Sequence, residues 1–94
     1  MIATHFHGEM QAYCNWLRGG MPEYSIVCEE QDEMSAKIEF HHHKSNSNKR
    51  HCIVISEDYA EKWITSGVPT KLRWTVRNSL LHFVVYQRSA NTHS

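Results

Sequence analysis

Imidazoles crowd the middle of the chain: His41, His42 and His43 run together, and His51 and Cys52 follow after a polar loop. On an extended strand His41 and His43 share one face, with His51 or Cys52 across a hairpin. Zinc needs about four nitrogen or sulfur donors in a tetrahedron, so His5, His7, Cys14 or Cys28 would have to complete the set. No CxxC or HExxH spacing is present. A solvated histidine loop, with Cys52 packing as a small hydrophobe, accounts for the same residues. The expectation is therefore no structural metal and no cofactor. Adjacent imidazoles still gain positive charge together as pH falls towards their pKa, which allows pH sensitivity.

Phosphate recognition is the second chemistry available. Lys44, Lys49 and Arg50 form a cationic loop beside the histidines, and Arg73 and Arg77 supply a second basic face. Read as a strand, that segment points Trp74 away from the two arginines. Nucleic-acid binders combine phosphate-neutralising charge with aromatic platforms for bases. A helix, three strands and a second helix resemble, in order alone, the layout of double-stranded RNA-binding domains, which would imply nucleic-acid binding. None of that family's motifs is matched, and a formal net charge of zero is unlike a dedicated nucleic-acid binder.

Catalytic signatures are missing. There is no nucleophile elbow, no glycine-rich phosphate loop and no HExxH. Cys14, Cys28 and Cys52 each fall inside an expected element, where a thiol packs rather than reacts. Three cysteines, an odd number without paired spacing, read as reduced thiols of a cytoplasmic protein. The chain is not expected to be an enzyme.

Protein binding remains, and two features favour it. Trp16, Trp63 and Trp74 lie on or beside three apolar stripes, and a chain this small does not easily bury all three. Trp16, at the flank of its stripe, is the one expected at the surface as an interface anchor. The second feature is charge polarity. Residues 1–34 hold six acids against one base, and residues 35–94 hold nine bases against four acids. Glu29, Glu30, Asp32 and Glu33 concentrate that acidity, so with Trp16 they form the candidate partner-binding set. The expected function is a small non-enzymatic modulator or inhibitor of a larger host protein or complex, of the accessory type that phages and mobile elements encode. The alternative is a nucleic-acid-binding module using the Lys44–Arg50 loop and the Arg73/Arg77 face.

The elements that must position these residues centre on one hairpin. Met34, Ala36, Ile38 and Phe40 alternate with polar residues as a half-buried strand, and Cys52–Ile55 is a β-branched run suited to a central strand. Before them, Met10, Tyr13, Cys14 and Leu17 recur at helical spacing over Gly8–Arg18, stopped by Gly19, Gly20 and Pro22. Residues 24–28 form a strand, and Glu29–Glu33 an acidic turn. Ser56, Glu57 and Asp58 read as a helix cap and acidic first turn, with Tyr59, Ala60, Trp63 and Ile64 as its stripe and Gly67 and Pro69 as its stop. Residues 70–86 fit a hairpin or one long helix from Thr70. The hairpin is preferred because Trp, Thr, Val and Phe favour strands and basic residues sit badly in a helix's first turn.

At 94 residues and 40% apolar content the chain makes one α+β domain, in the order αβββαββ, with residues 1–7 and 89–94 as flexible ends. Its sheet is an antiparallel three-stranded meander plus the C-terminal hairpin, packed by two short helices. No run is long and apolar enough to span a membrane, and the N-terminus lacks a secretory pattern. A free sheet edge would allow a dimer.

Overall fold

A computed structural model describes residues 2–43, 50–64 and 67–92. Along the chain they form α1 (Ile2–Gly20), β1 (Tyr24–Asp32), β2 (Ser35–His42), β3 (His51–Ser56), β4 (Glu61–Trp63) and α2 (Thr70–Thr92). The four strands make one antiparallel sheet in sequence order, β1-β2-β3-β4. Both helices pack into the same core against it.

The central hairpin forms as its alternation dictates. Ala36, Ile38 and Phe40 of β2 are fully buried, and Ile38 opposes Cys28 on β1 and Ile53 on β3. Met34 falls outside the strand, in the β1–β2 turn, and is 61% exposed. The opposite sheet face is a lattice of charge: Lys37 Nζ lies 3.4 Å from Glu29 and 3.9 Å from Glu39, and Arg50 lies 3.7 Å from Glu39. Val54 is buried on that face, outside the main core cluster. Its register partners are Lys37 and Lys62, residues whose long alkyl stems commonly cover apolar surface.

Helix α1 begins earlier than its sequence signals suggest. Phe6 continues the stripe of Met10, Tyr13, Cys14 and Leu17 by one turn, and all five are buried. Residues 2–7 are therefore helical rather than an edge strand or frayed lead. Burial of Phe6 outweighs Gly8, whose cost within a helix is only about 1 kcal/mol. The helix also guards the sheet's first edge. His7 Nε2 donates to the Asp32 carbonyl at 2.7 Å, and Arg18 Nε donates to the Ile26 carbonyl at 2.9 Å. Edge carbonyls of β1 are thereby satisfied by side chains instead of a foreign strand.

Two expected elements are replaced. Ser56–Asp58 does not start a helix; it closes the β3–β4 turn. The Ser56 hydroxyl donates to Asp58 Oδ1, which also accepts the Ala60 amide at 3.0 Å, and Ser56 N donates to the Ala60 carbonyl at 3.0 Å. Serine and aspartate cap turns with the same hydrogen bonds that cap helices, so the signal was ambiguous. Tyr59 takes the left-handed conformation, φ 65°, that closes the turn. Trp63 then alternates onto the core side in β4, while Ile64 stays exposed. Gly67, φ 78°, turns the chain toward α2, a backbone setting glycine adopts without strain.

The C-terminal hairpin is likewise corrected to a single helix. Val68, Leu72, Val76, Leu80 and Phe83 are buried at steps of three and four. Burying each large side chain contributes about 1.5–3 kcal/mol, whereas a basic residue in the first turn costs under about 1 kcal/mol. Packing wins. Residues 89–92 continue α2 and are not a loose tail. The Acid-rich segment is corrected too: Glu29–Asp32 extend β1, and only Glu33 and Met34 turn.

Candidate functional site

The sequence-derived candidates do not converge on one place. Glu29 and Glu30 are consecutive in β1 and point to opposite faces of the sheet, Glu29 toward Lys37. Asp32 and Glu33 lie at the hairpin tip, where Asp32 Oδ1 accepts the Met34 amide at 2.8 Å. That bond, with help from Ser35, holds the Asp32 carboxyl below the usual range. Trp16 sits elsewhere. The tip is tied to His7, and Trp16 lies about 13 Å farther along α1.

The basic set is also dispersed. Arg73 and Arg77 are one turn apart on α2 and both lie over the Trp63 ring, 5.1 and 5.9 Å from its centroid. Arg77 Nε also donates to Glu61 Oε1 at 2.7 Å. These guanidiniums clamp α2 to β4 instead of forming a strand's cationic face. Arg50 is exposed near Glu39; Lys44 and Lys49 lie outside the described residues.

Histidines and thiols are split by the pleat. His41 faces the charged side, and His43 bonds Ser25 Oγ at 2.7 Å. His42 meets Tyr24 edge-on on the other side, and His51 pairs in register with Phe40. Cys52 pairs with Glu39, one step away from His41. Among the described residues no three His, Cys, Asp or Glu side chains are grouped to hold a metal ion.

What the fold does assemble is a groove between the helices. Gly20 borders the same hollow as Thr75 and Ser79, while Ala12 borders the same cleft as Tyr86, so α1 and α2 run antiparallel. The cleft measures about 540 Å³ and is lined by Ala12, Trp16, His82, Phe83, Tyr86 and Gln87. On the other side of Trp16 lies a hollow of about 120 Å³, floored by Leu17 and Met21. Trp16, 52% exposed, is the ridge between them.

The groove's floor is built rigidly. Tyr13, fully buried, stacks obliquely on Trp16 and Phe83 with centroids 6.2 and 5.3 Å away. Its hydroxyl shares a 2.6 Å hydrogen bond with Ser79 Oγ and lies 3.2 Å from the Val76 carbonyl, which both hydroxyls can reach. Burial pushes the Tyr13 phenol far above its ordinary range, against the downward pull of the Ser79 bond. It stays neutral and serves as a strut.

No protein-family model matches the chain, and neither a curated protein nor a solved structure matches it. The resemblance in order to double-stranded RNA-binding domains is also incomplete, because a fourth strand stands before the second helix.

Chemically the cleft is lined mostly by aromatic and apolar surface, with the polar ends of His82, Tyr86 and Gln87. His82 and Tyr86 are its titratable lining residues, and neither a carboxylate nor a thiol is among the residues that line it. Sequence reasoning found Trp16 but missed Phe83, His82 and Tyr86, because residues 80–86 were assigned to a strand. The signal available was the repeat Thr75, Ser79, His82 and Tyr86, which marks one side of a helix. A second apolar stripe, Trp74, Leu81 and Val85, spans only about 40° of the helical wheel on the outer face of α2. Among the described residues no helix is long and apolar enough to cross a membrane.

Proposed function

We propose that this chain is a non-enzymatic modulator or inhibitor that binds a larger protein or complex in the cytoplasm. It belongs to the accessory kind carried by phages and mobile elements. The helix–helix groove is its contact surface. The observation carrying this reading is the exposure of Trp16 beside a cleft whose other wall is Tyr86, itself 68% exposed. Stability gains little from leaving such side chains in water, whereas tryptophan and tyrosine at the edge of a pocket are common anchors of interfaces. Helix α2 contains Lys71, Arg73, Arg77 and Arg88 and no acid, which favours an acidic partner surface.

The test is a pull-down from native lysate, with and without nuclease, read by mass spectrometry. One dominant protein that survives nuclease is expected with the wild type. It should be lost with Trp16→Ala and weakened with Tyr86→Ala, each variant keeping the wild-type circular dichroism. An anchor of this kind is worth about 2 kcal/mol or more, roughly 30-fold in affinity. Binding that vanishes with nuclease and survives Trp16→Ala would instead support nucleic-acid recognition through Lys44, Lys49 and Arg50. That alternative draws less support from Arg73 and Arg77 now that Trp63 and Glu61 engage them.

A further inference from the structure

Cys14 and Cys28 face each other across the contact between α1 and β1. Cys14 is fully buried on the helix's core stripe, and Cys28 is partly exposed on the sheet's core side. The His7 bond to the Asp32 carbonyl and the Arg18 bond to the Ile26 carbonyl lay α1 along β1 so that Cys14 falls opposite Cys28, both on the core side. Beside them, Arg18 lies one turn beyond Cys14 and bonds the Ile26 carbonyl, two residues before Cys28. A partly accessible sulfur, a buried sulfur against it and a nearby guanidinium make an attacking and resolving pair. Cys52 lies elsewhere, opposite Glu39 on the other face of the sheet.

We infer that Cys14 and Cys28 form a redox-reactive thiol pair that closes to a disulfide between α1 and β1 when it meets a low-molecular-weight disulfide. Cys28 is the sulfur that reacts first. It is the partly exposed sulfur of the two and lies near the Arg18 guanidinium, whereas Cys14 is fully buried. The Cys28 thiolate attacks one sulfur of the small disulfide, forming a mixed disulfide and expelling one small thiolate. Cys14 then gives up its proton and attacks Cys28 Sγ, expelling the second. Two protein thiols are oxidised by two electrons, the small disulfide is reduced to two thiols, and the two protein protons end on them.

Closure would pin the helix that carries Trp16 to the sheet, since Cys14 lies half a turn before it. It would also close a short loop of the unfolded chain, which raises the melting temperature by several degrees.

The test incubates the folded full chain with oxidised glutathione, quenches free thiols by alkylation and digests with trypsin without reductant. The expected product has lost the mass of two hydrogen atoms and joins the peptide of residues 1–18 to that of residues 19–37. Cys14→Ala should stop at a glutathione adduct on Cys28, and Cys52→Ser should behave as wild type. A wild-type protein that keeps the adduct on Cys28, links through Cys52, or retains all its thiols overturns the pair. Should Cys14→Ala fail to fold, the wild-type and Cys52→Ser peptide maps decide the question by themselves.

Discussion

At the residue scale, Tyr13 and Gly8 show how far a side chain's role depends on its partners. The Tyr13 hydroxyl reaches from α1 to Ser79 on α2, so it orders the wall on which Trp16 rests. Tyr13→Phe keeps the ring and removes the bond. It is expected to lower unfolding free energy by about 1 kcal/mol in a urea titration. A change below a few tenths would show that the hydroxyl contributes nothing net. Gly8 makes the opposite case. It lies within α1, is exposed, and a Cβ there would meet no atom within 4 Å. Gly8→Ala should therefore stabilise the fold by roughly 0.5–1 kcal/mol, read by the same titration. The apolar stripe of α1 was legible because its period is visible in the sequence. Its start was not, because a glycine looks like a boundary until Phe6 is seen to be buried beyond it.

At the scale of elements, the hairpin of β2 and β3 was legible because β2 buries one face, which leaves a period of two, and β3 is a β-branched run buried at Ile53, Val54 and Ile55. The segment from Ser56 was not. A serine followed by acids satisfies exposed amides in a helix cap and in a tight turn alike, and only the pairing of β4 with β3 decides between them. That turn predicts a pH dependence. The Asp58 carboxyl is held below its ordinary value by the Ser56 hydroxyl and the Ala60 amide. Because the folded value is depressed, its contribution is present above the unfolded value of about 3.9 and is lost as pH falls through the folded one. Asp32 titrates with the same sign at the neighbouring tip, where Glu57 N donates to the Met34 carbonyl at 2.7 Å. Melting temperatures recorded from about pH 5 to about pH 2 should fall less steeply for Asp58→Asn than for the wild type. Asparagine can keep the acceptor while losing the charge, so parallel curves would remove Asp58 from the acid response.

At the scale of the whole molecule, one core is shared by α1, the sheet and α2, and the last third of the chain decides whether it closes. Read as strands, residues 70–86 place Leu72, Trp74 and Val76 on one face, with tryptophan as the largest core residue. Read as a helix, they place Leu72, Val76, Leu80 and Phe83 inside and leave Trp74 58% exposed. Local preference pointed to strands, since Trp, Thr, Val and Phe carry it. Those preferences span only about 1 kcal/mol, and four buried side chains at helical spacing outweigh them. The two arrangements predict opposite results for two substitutions. Leu80→Ala should cost about 2–5 kcal/mol, because it empties volume between α2 and the rest of the core. Trp74→Ala should stay within about 0.5 kcal/mol, because that side chain lies mostly in solvent. Urea unfolding followed by circular dichroism measures both on one scale. A large loss for Trp74→Ala with little for Leu80→Ala would mean that α2 is not the element that completes the core. The groove would lose its second wall with it, since Phe83 and Tyr86 reach Trp16 only from a helix.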